Sequence, residues 1–271
     1  MAEVDWASFA LVSGSSVVVL ALAHVISFDI GRRIGRYNVV DVTWGVGFVL
    51  VAAVAAVLGD GDAARRVLLL VLTTVWGVRL SWHMVRKSRG KGEDPRYTAL
   101  LERSGGNSPR VVLRRIFFTQ GLAQWFVSLP LQLSAAVGPT HLTVVLGIGV
   151  VLWVAGVFFE AVGDAQLAQW KADPANKGKV MDLGLWAWTR HPNYFGDSLV
   201  WWGLWLIAAS VWPGVLTVLS PIAMTYFLVF ATGARLLEKT MSKRPGYPEY
   251  QQRTSYFIPR PPKRHAAHGR A

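Results

Sequence analysis

Residues 186–205, WAWTRHPNYFGDSLVWWGLW, decide how this chain is read. The polar half, Thr189 to Asp197, runs into a Trp-rich apolar segment with no linker between them. Trp and Tyr favour the membrane interface, where one end of the ring is dry and the other wet. Pro192 suits the first turn of a helix, and a helix starting there places Asn193 and Asp197 on one face at i and i+4. An amide, a carboxylate, an imidazole and a phenol then gather at the mouth of a membrane helix. Such a cluster is costly beside lipid unless it lines a polar cavity or meets a ligand. The other reading of the same stretch is an interfacial anchor with ordinary caps.

The composition extends the membrane reading to the whole chain. Of 271 residues, 52% are hydrophobic and only 16% charged, with 13 Trp. Soluble domains carry closer to a quarter charged residues. Several apolar runs reach the roughly 20 residues that cross a bilayer. The fold class expected is therefore all-α, a polytopic membrane protein. The net charge is +12, and its location matters more than its size. Lys and Arg concentrate in a few connecting segments and the tail, where anionic headgroups or an anionic cofactor would meet them. No zinc-finger spacing, recognition helix or RNA-binding aromatic motif occurs, which argues against nucleic acid as a partner. The chain has no Cys, which excludes disulfides, Cys-ligated zinc, iron–sulfur clusters and thiol nucleophiles. The opening MAEVDWASFA is acidic and lacks the basic start of a cleaved signal peptide, so the first apolar segment is expected to be retained.

Seven apolar segments follow in order. They cover about Phe9–Phe28, Val39–Leu58, Val67–Met84, Val111–Val137, Leu142–Val162, a sixth from within the HPNYFG motif to Ala209, and Val215–Leu237. The fourth contains Pro130 and reads as a tilted or kinked helix, or as an interfacial piece followed by a span. The polar stretch after the fifth has room for one short helix before Asp173. With seven spans, the basic connections and the tail fall on one side and the acidic or neutral ones on the other. The positive-inside rule then gives an N-terminus outside and a C-terminus in the cytoplasm. The spans should bury one shared core, a single domain over 1–262, with a disordered basic tail over 263–271. Asp41, Arg79, His83, Asp164, Lys171, His191, Asn193, Asp197, Glu238 and Tyr247 all fall near the cytoplasmic ends, which suggests one cytoplasm-facing site.

The chemistry of that site narrows by residue type. The His residues are scattered and no HExxH pattern occurs, so no metal is expected. No nucleophile elbow appears, and Gly105-Gly106-Asn107 lies in a polar loop without the strand and helix that a soluble dinucleotide fingerprint needs. A nucleotide remains chemically reasonable. Lys171, Arg190 and Arg253 suit phosphates, and Asp164, Asn193 and Asp197 suit ribose hydroxyls.

Three motifs carry a resemblance. TRHPNYFGD followed by WWG, the early GVRLSWHMVRKSRGKGEDPRY and the tail RPGYPEYQQRTSYFIPRPP resemble a bacterial membrane family of formerly unknown function within the steroid 5-alpha-reductase C-terminal superfamily. The resemblance runs from about Asp41 to Pro262. It implies a seven-span fold in the bacterial inner membrane with its active site facing the cytoplasm. It further implies NADPH-dependent reduction of an activated carbon–carbon double bond in a steroid or other lipid enone. Asn193-Tyr194-Phe195-Gly196-Asp197 matches a reductase signature that ends in Glu in steroid reductases. By the same resemblance Asp164, Lys171, Arg190, His191, Glu238, Tyr247, Tyr250 and Arg253 contact the cofactor. The positions matching the substrate-polarising Glu and Tyr of steroid reductases are Asp41 and His83, with Tyr97 a reserve donor. A second resemblance, to membrane methyltransferases that use S-adenosylmethionine, rests on Arg190, His191, Pro192, Tyr194, Glu238, Tyr247 and Tyr250. A non-catalytic lipid binder is the third reading.

Overall fold

The structure, a computed structural model, describes residues 4–263. It is built from helices; the described residues contain no strand, only isolated bridges from Val4 to Val137 and from Thr189 to Ser255. Five helical stretches are long and apolar enough to cross a membrane: Trp6–Ile34, Val40–Leu58, Ala63–Ser88, Thr143–Ala172 and Gly214–Met241. They correspond to the first, second, third, fifth and seventh expected segments. The chain divides into two compact units, Met1–Gly147 with Leu204–Ser220, and Ile148–Gly203 with Pro221–Ala271. The tail expected to be disordered lies, beyond Lys263, outside the described residues.

In the first unit, α1 (Trp6–Ile34) starts at Asp5, whose carboxylate accepts from Ala7 N and Ser8 N, and stops at Gly35 with φ 71°. Only a residue without Cβ adopts that left-handed turn at no cost. The buried residues of α1 are Ser8, Val12, Ser16, Leu20, His24, Ser27 and Gly31. They form a stripe of mostly small or polar side chains, while Val17, Val18, Leu22, Val25 and Ile26 face outward. This inverts the pattern of a soluble helix, because lipid accepts the apolar side chains and close packing selects the small ones. Helix α2 (Val40–Leu58) packs on α1 and on α3 (Ala63–Ser88). At the α2–α3 crossing a Cβ on Gly45 would lie 2.3 Å from Gly77 O, so the two backbones meet directly.

The fourth expected segment is a broken helix. It comprises α5 (Pro109–Val112), a π-helical turn (Leu113–Phe118), α6 (Thr119–Val127) and α7 (Leu129–Ser134). Pro130 sits in the first turn of α7, so it starts a new helix instead of kinking a long one. A short helix, α4 (Pro95–Arg103), precedes it, with Asp94 capping and Pro95 in the first turn. At the other end of α3, Arg65 is 1% exposed. Its guanidinium donates to Ser134 Oγ and to the carbonyls of Ser134, Val137 and Gly138 at 2.6–3.1 Å, which ties the loop after α7 to the start of α3.

The second unit contains most of α8 (Thr143–Ala172), which runs past the expected end at Val162. The residues beyond, GDAQLAQWKA, are rich in good helix formers, and the helix stops where Asp173-Pro174 starts a 3-10 turn. The short helix expected before Asp173 is thus the last part of the span. Against α8 lies α10 (Pro192–Ala209). Glycines recur at heptad spacing on both, Gly149, Gly156 and Gly163 on α8 and Gly196 and Gly203 on α10. A Cβ on Gly196 would lie 2.4 Å from Glu160 N, and one on Gly203 would lie 2.6 Å from Gly149 O. Backbone therefore packs on backbone along this pair.

The rest of the second unit surrounds the start of α10. A short helix, α9 (Leu185–Trp188), leads into it. Helix α11 (Leu219–Tyr226) continues through a π-helical turn, Phe227–Ala231, into α12 (Ala234–Met241), and α13 (Tyr247–Arg253) follows Gly246. The chain after α13 returns to α9. Arg190 N donates to Ser255 O at 2.9 Å, Arg260 N to Trp188 O at 3.0 Å, and Thr189 Oγ1 to Phe257 O at 2.7 Å.

Candidate functional site

In the second unit, Glu238 on α12 is the centre of a dense polar cluster. Its Oε1 accepts from Arg190 Nε at 2.8 Å, Tyr247 OH at 2.8 Å and His191 Nε2 at 3.1 Å. Its Oε2 accepts from Arg190 NH2 at 3.3 Å and from Gln251 Nε2. A carboxylate offers about four lone-pair positions, so Glu238 is saturated. Because an ionised carboxylate only accepts, His191 Nε2 carries the ring proton and Nδ1 is a bare acceptor. His191 is 1% exposed, and its Nδ1 has no hydrogen-bond partner among the described residues. Burial lowers the His191 pKa, against the opposing pull of Glu238, and holds the imidazole neutral. Its ring stacks on Tyr194 at 5.7 Å between centroids, and Arg190 lies over the Tyr256 ring at 5.3 Å. Burial, reinforced by Glu238, keeps Tyr247 protonated well above its ordinary range.

The other expected cofactor residues lie in the same unit. Asn193, in the first turn of α10, donates to Asp164 Oδ1 on α8 at 3.1 Å. Asp197 is buried one turn further along α10. Tyr250 OH donates to Trp186 O at 2.6 Å, and Arg253 pairs with Asp182. Lys171 is exposed near the end of α8 and lines a cavity of about 520 Å³. The cations around that cavity are Lys171, Lys177, Lys179, Arg190 and Arg244, and Asp173 is the one carboxylate among its lining residues. Trp170, Trp186, Tyr247 and Tyr250 supply aromatic surface. Lys177, Lys179 and Arg244 are additions to the site residues expected from the sequence, and Arg244 is the most remote of them. It sits in a tail turn whose approach to the loop after α8 is not visible in spacing.

The first unit holds a different arrangement. Tyr97 OH donates to Asp41 Oδ1 at 2.5 Å and accepts from Gln120 Nε2 at 3.1 Å. Arg96 NH2 reaches Asp41 Oδ2 at 3.4 Å, while Asp94 holds the same guanidinium at 2.9 and 3.0 Å. Burial, and then the Asp41 charge, raise the Tyr97 pKa well above its usual value, so the phenol stays a proton donor. Burial raises the Asp94 pKa, but its contacts with Arg96 outweigh this and leave Asp94 below the usual carboxylate range. Tyr97, the reserve donor of the sequence reading, is therefore the residue bonded to Asp41. His83 is half-buried on α3, one turn beyond Arg79. The one local signal for α4 is Asp94-Pro95, a helix start inside a stretch whose charge and glycine content read as a loop. Gln120 gave no such signal, because a lone Gln in an apolar segment is indistinguishable from packing.

One turn deeper along α6, Gln124 Nε2 donates to the carbonyls of Thr43 and Trp44 at 3.3 and 2.7 Å, which fixes its amide. Its Oε1 therefore faces His24 Nε2, at 2.6 Å. The described residues contain no group of three or more His, Cys, Asp or Glu arranged to hold a metal ion.

No solved structure matches the chain. A relative from Schizosaccharomyces pombe, named "Uncharacterized protein C594.04c", is 27% identical over 242 residues. The matched region is 75% of this chain but 66% of that relative, just short of two thirds of its length. Residues 27–254, which include every site residue expected from the sequence, match the family described as "Protein of unknown function (DUF1295)". The chain therefore belongs to that family of membrane proteins, which is related to steroid 5-alpha-reductase-like membrane proteins.

Proposed function

We propose that the protein is an NADPH-dependent reductase of an activated carbon–carbon double bond in a steroid or other lipid enone. The observation that carries this reading is the charge of the cavity in the second unit. Besides Arg190, whose charge Glu238 balances, its lining residues include the cations Lys171, Lys177, Lys179 and Arg244, with Asp173 the one carboxylate among them. Such a lining suits the phosphates of a dinucleotide, and the faces of Trp170 and Trp186 suit its planar rings. S-adenosylmethionine, the cofactor of the alternative methyltransferase reading, has no phosphate and carries a cationic sulfonium, so the same lining opposes it. The Asn193–Asp164 pair offers an amide and a carboxylate to ribose hydroxyls.

When bound, the reduced nicotinamide would supply a hydride for the β carbon of the enone, and water the proton that completes the reduction at the α carbon. The residues of the chain manage the carbonyl. Tyr97, kept protonated by burial and by Asp41, donates a hydrogen bond to the carbonyl oxygen and stabilises the charge that develops there. The phenol has one O–H, which turns from Asp41 to the substrate, while Gln120 still donates to the phenol oxygen and Arg96 keeps a contact with the released carboxylate. His83 is the second candidate donor. Apolar helices bring the lipid substrate to the membrane-embedded chain. The reading includes seven spans, with α10 and the broken α5–α7 segment as the two beyond the five long helices. It also includes an N-terminus outside, a C-terminus and active site on the cytoplasmic side, and residence in a bacterial inner membrane.

The test is a titration of detergent-purified protein with NADPH, NADH and S-adenosylmethionine, beside the Asn193→Ala and Lys171→Gln variants. Saturable NADPH binding weakened by both substitutions is expected. Binding of S-adenosylmethionine alone would transfer the site to the methyltransferase reading. Binding of neither, with lipid binding retained, would leave a non-catalytic lipid binder.

A further inference from the structure

Some of the cations at the basic end of the first unit are held from within. Arg33 pairs with Asp29 at 2.7 Å, Arg36 donates to Ser88 O and Lys91 O at 2.7 and 2.8 Å, and Arg96 is gripped by Asp94. Arg110, Arg114 and Arg115, like Arg86, Lys87, Arg89 and Lys91, have no ion pair among the described residues. The first three are all exposed. The sequence from Arg103 to Phe159 contains no acidic residue at all. Like charges this close repel one another and favour an anion from outside.

The surface beside them is apolar. Phe118 is 67% exposed and Leu122 53% exposed. They follow Arg114 at i+4 and i+8, so they continue its face along the π-helical turn and α6. A cationic group thus passes directly into an outward-facing aromatic and aliphatic strip, at the end of a segment that packs in the apolar unit. We propose that Arg110, Arg114 and Arg115 with Phe118 and Leu122 form a seat for an anionic phospholipid. The guanidinium groups take the phosphodiester headgroup through charge-assisted hydrogen bonds, and Phe118 and Leu122 carry an acyl chain. A free phosphate would use the arginines alone and gain nothing from the apolar strip, so the continuity of the two surfaces selects the lipid. This site is independent of the reductase reading.

The experiment uses the full chain in detergent, titrated with dioleoyl phosphatidylglycerol or dioleoyl phosphatidylcholine, with bound lipid counted by native mass spectrometry. Saturable binding of phosphatidylglycerol in preference to phosphatidylcholine is expected. Each basic residue near a membrane surface contributes about fivefold to anionic-lipid binding, so R110Q/R114Q/R115Q should bind about 100-fold more weakly. The R110K/R114K/R115K variant should keep the preference for phosphatidylglycerol, and Phe118→Ser should weaken phosphatidylglycerol binding with every charge in place. Unchanged binding by the triple Gln variant, equal binding of the two lipids, or displacement by inorganic phosphate would each overturn the proposal. If the triple variant does not fold, R114Q alone carries the test, and a loss well short of about fivefold overturns it.

Discussion

Two carboxylates, one in each unit, sit in opposite kinds of polar environment. Glu238 receives hydrogen bonds from Arg190, His191, Tyr247 and Gln251 and has no acceptor position left. Asp41 receives one from Tyr97 and a long contact from Arg96, and it keeps capacity for more. The saturated carboxylate, itself on α12, ties that helix to α13 and to the residues just before α10, since its donors come from those two regions. The unsaturated one can exchange a partner for a ligand without leaving a buried group unpaired. A fully satisfied network rigidifies, and a partly satisfied one is where binding chemistry has room to occur.

The largest effect should come from the saturated centre. Glu238→Gln leaves Arg190, whose side chain is 10% exposed, without its counter-charge. Breaking such a pair from one side costs about 3–5 kcal/mol. The expected outcome is a steep loss of folded protein in thermal or denaturant unfolding, beyond anything Asp41→Asn does to stability. Equal destabilisation by the two substitutions would erase the distinction between them.

The next effect belongs to the unsaturated centre and, under the proposed function, falls on activity. Tyr97→Phe should lower kcat/KM for a steroid enone by about 100-fold, the lower range for loss of a positioned proton donor, while unfolding changes little. NADPH consumption with that substrate measures it. His83→Phe is the paired control. A large loss there with little in Tyr97→Phe would move the donor role to His83.

A smaller effect tests the frame that carries Asn193. A Cβ at Gly196 would meet Glu160 N at 2.4 Å, so Gly196→Ala must separate α8 from α10 and should cost about 1–3 kcal/mol. Because Asn193 and Asp164 lie on those two helices, NADPH affinity should fall together with the unfolding midpoint. Retained affinity in the destabilised variant would separate the frame from the site.

The smallest effect is a pH dependence of stability. Burial lowers the His191 pKa below the unfolded reference of about 6.5. Above that reference neither state binds the proton and His191 adds no slope. As pH falls through the interval down to the folded pKa, the unfolded chain binds more protons, so stability declines. Unfolding midpoints from neutral to mildly acidic pH should show that decline, and His191→Gln should flatten it. An unchanged slope in the variant would place the titration elsewhere.

How much of this was legible beforehand follows from the range of the interactions involved. Local signals were read well where they acted locally. Asp41 stands in the first turn of α2, and α10 begins at Pro192, as the sequence suggested. The end of α8 was misjudged because AQLAQWKA is polar in composition yet strongly helix-forming. The breaks in the fourth segment followed from Pro130 only once Ser128 and the π-helical turn were seen beside it.

The sequence by itself determined that this is an all-helical membrane protein without thiol chemistry, and it placed the HPNYFGD polar cluster at the start of a helix. Apolar run length, the absence of Cys and residue charge are local properties, so they need no fold to be read. Only the tertiary structure decided that Tyr97 bonds Asp41, that Glu238 is saturated, and that Arg244 joins Lys171, Lys177 and Lys179 around one cavity. Those pairings join residues far apart in the chain. Whether a donor meets its acceptor is fixed by helix packing, which here depends on glycines whose missing side chains let backbones touch.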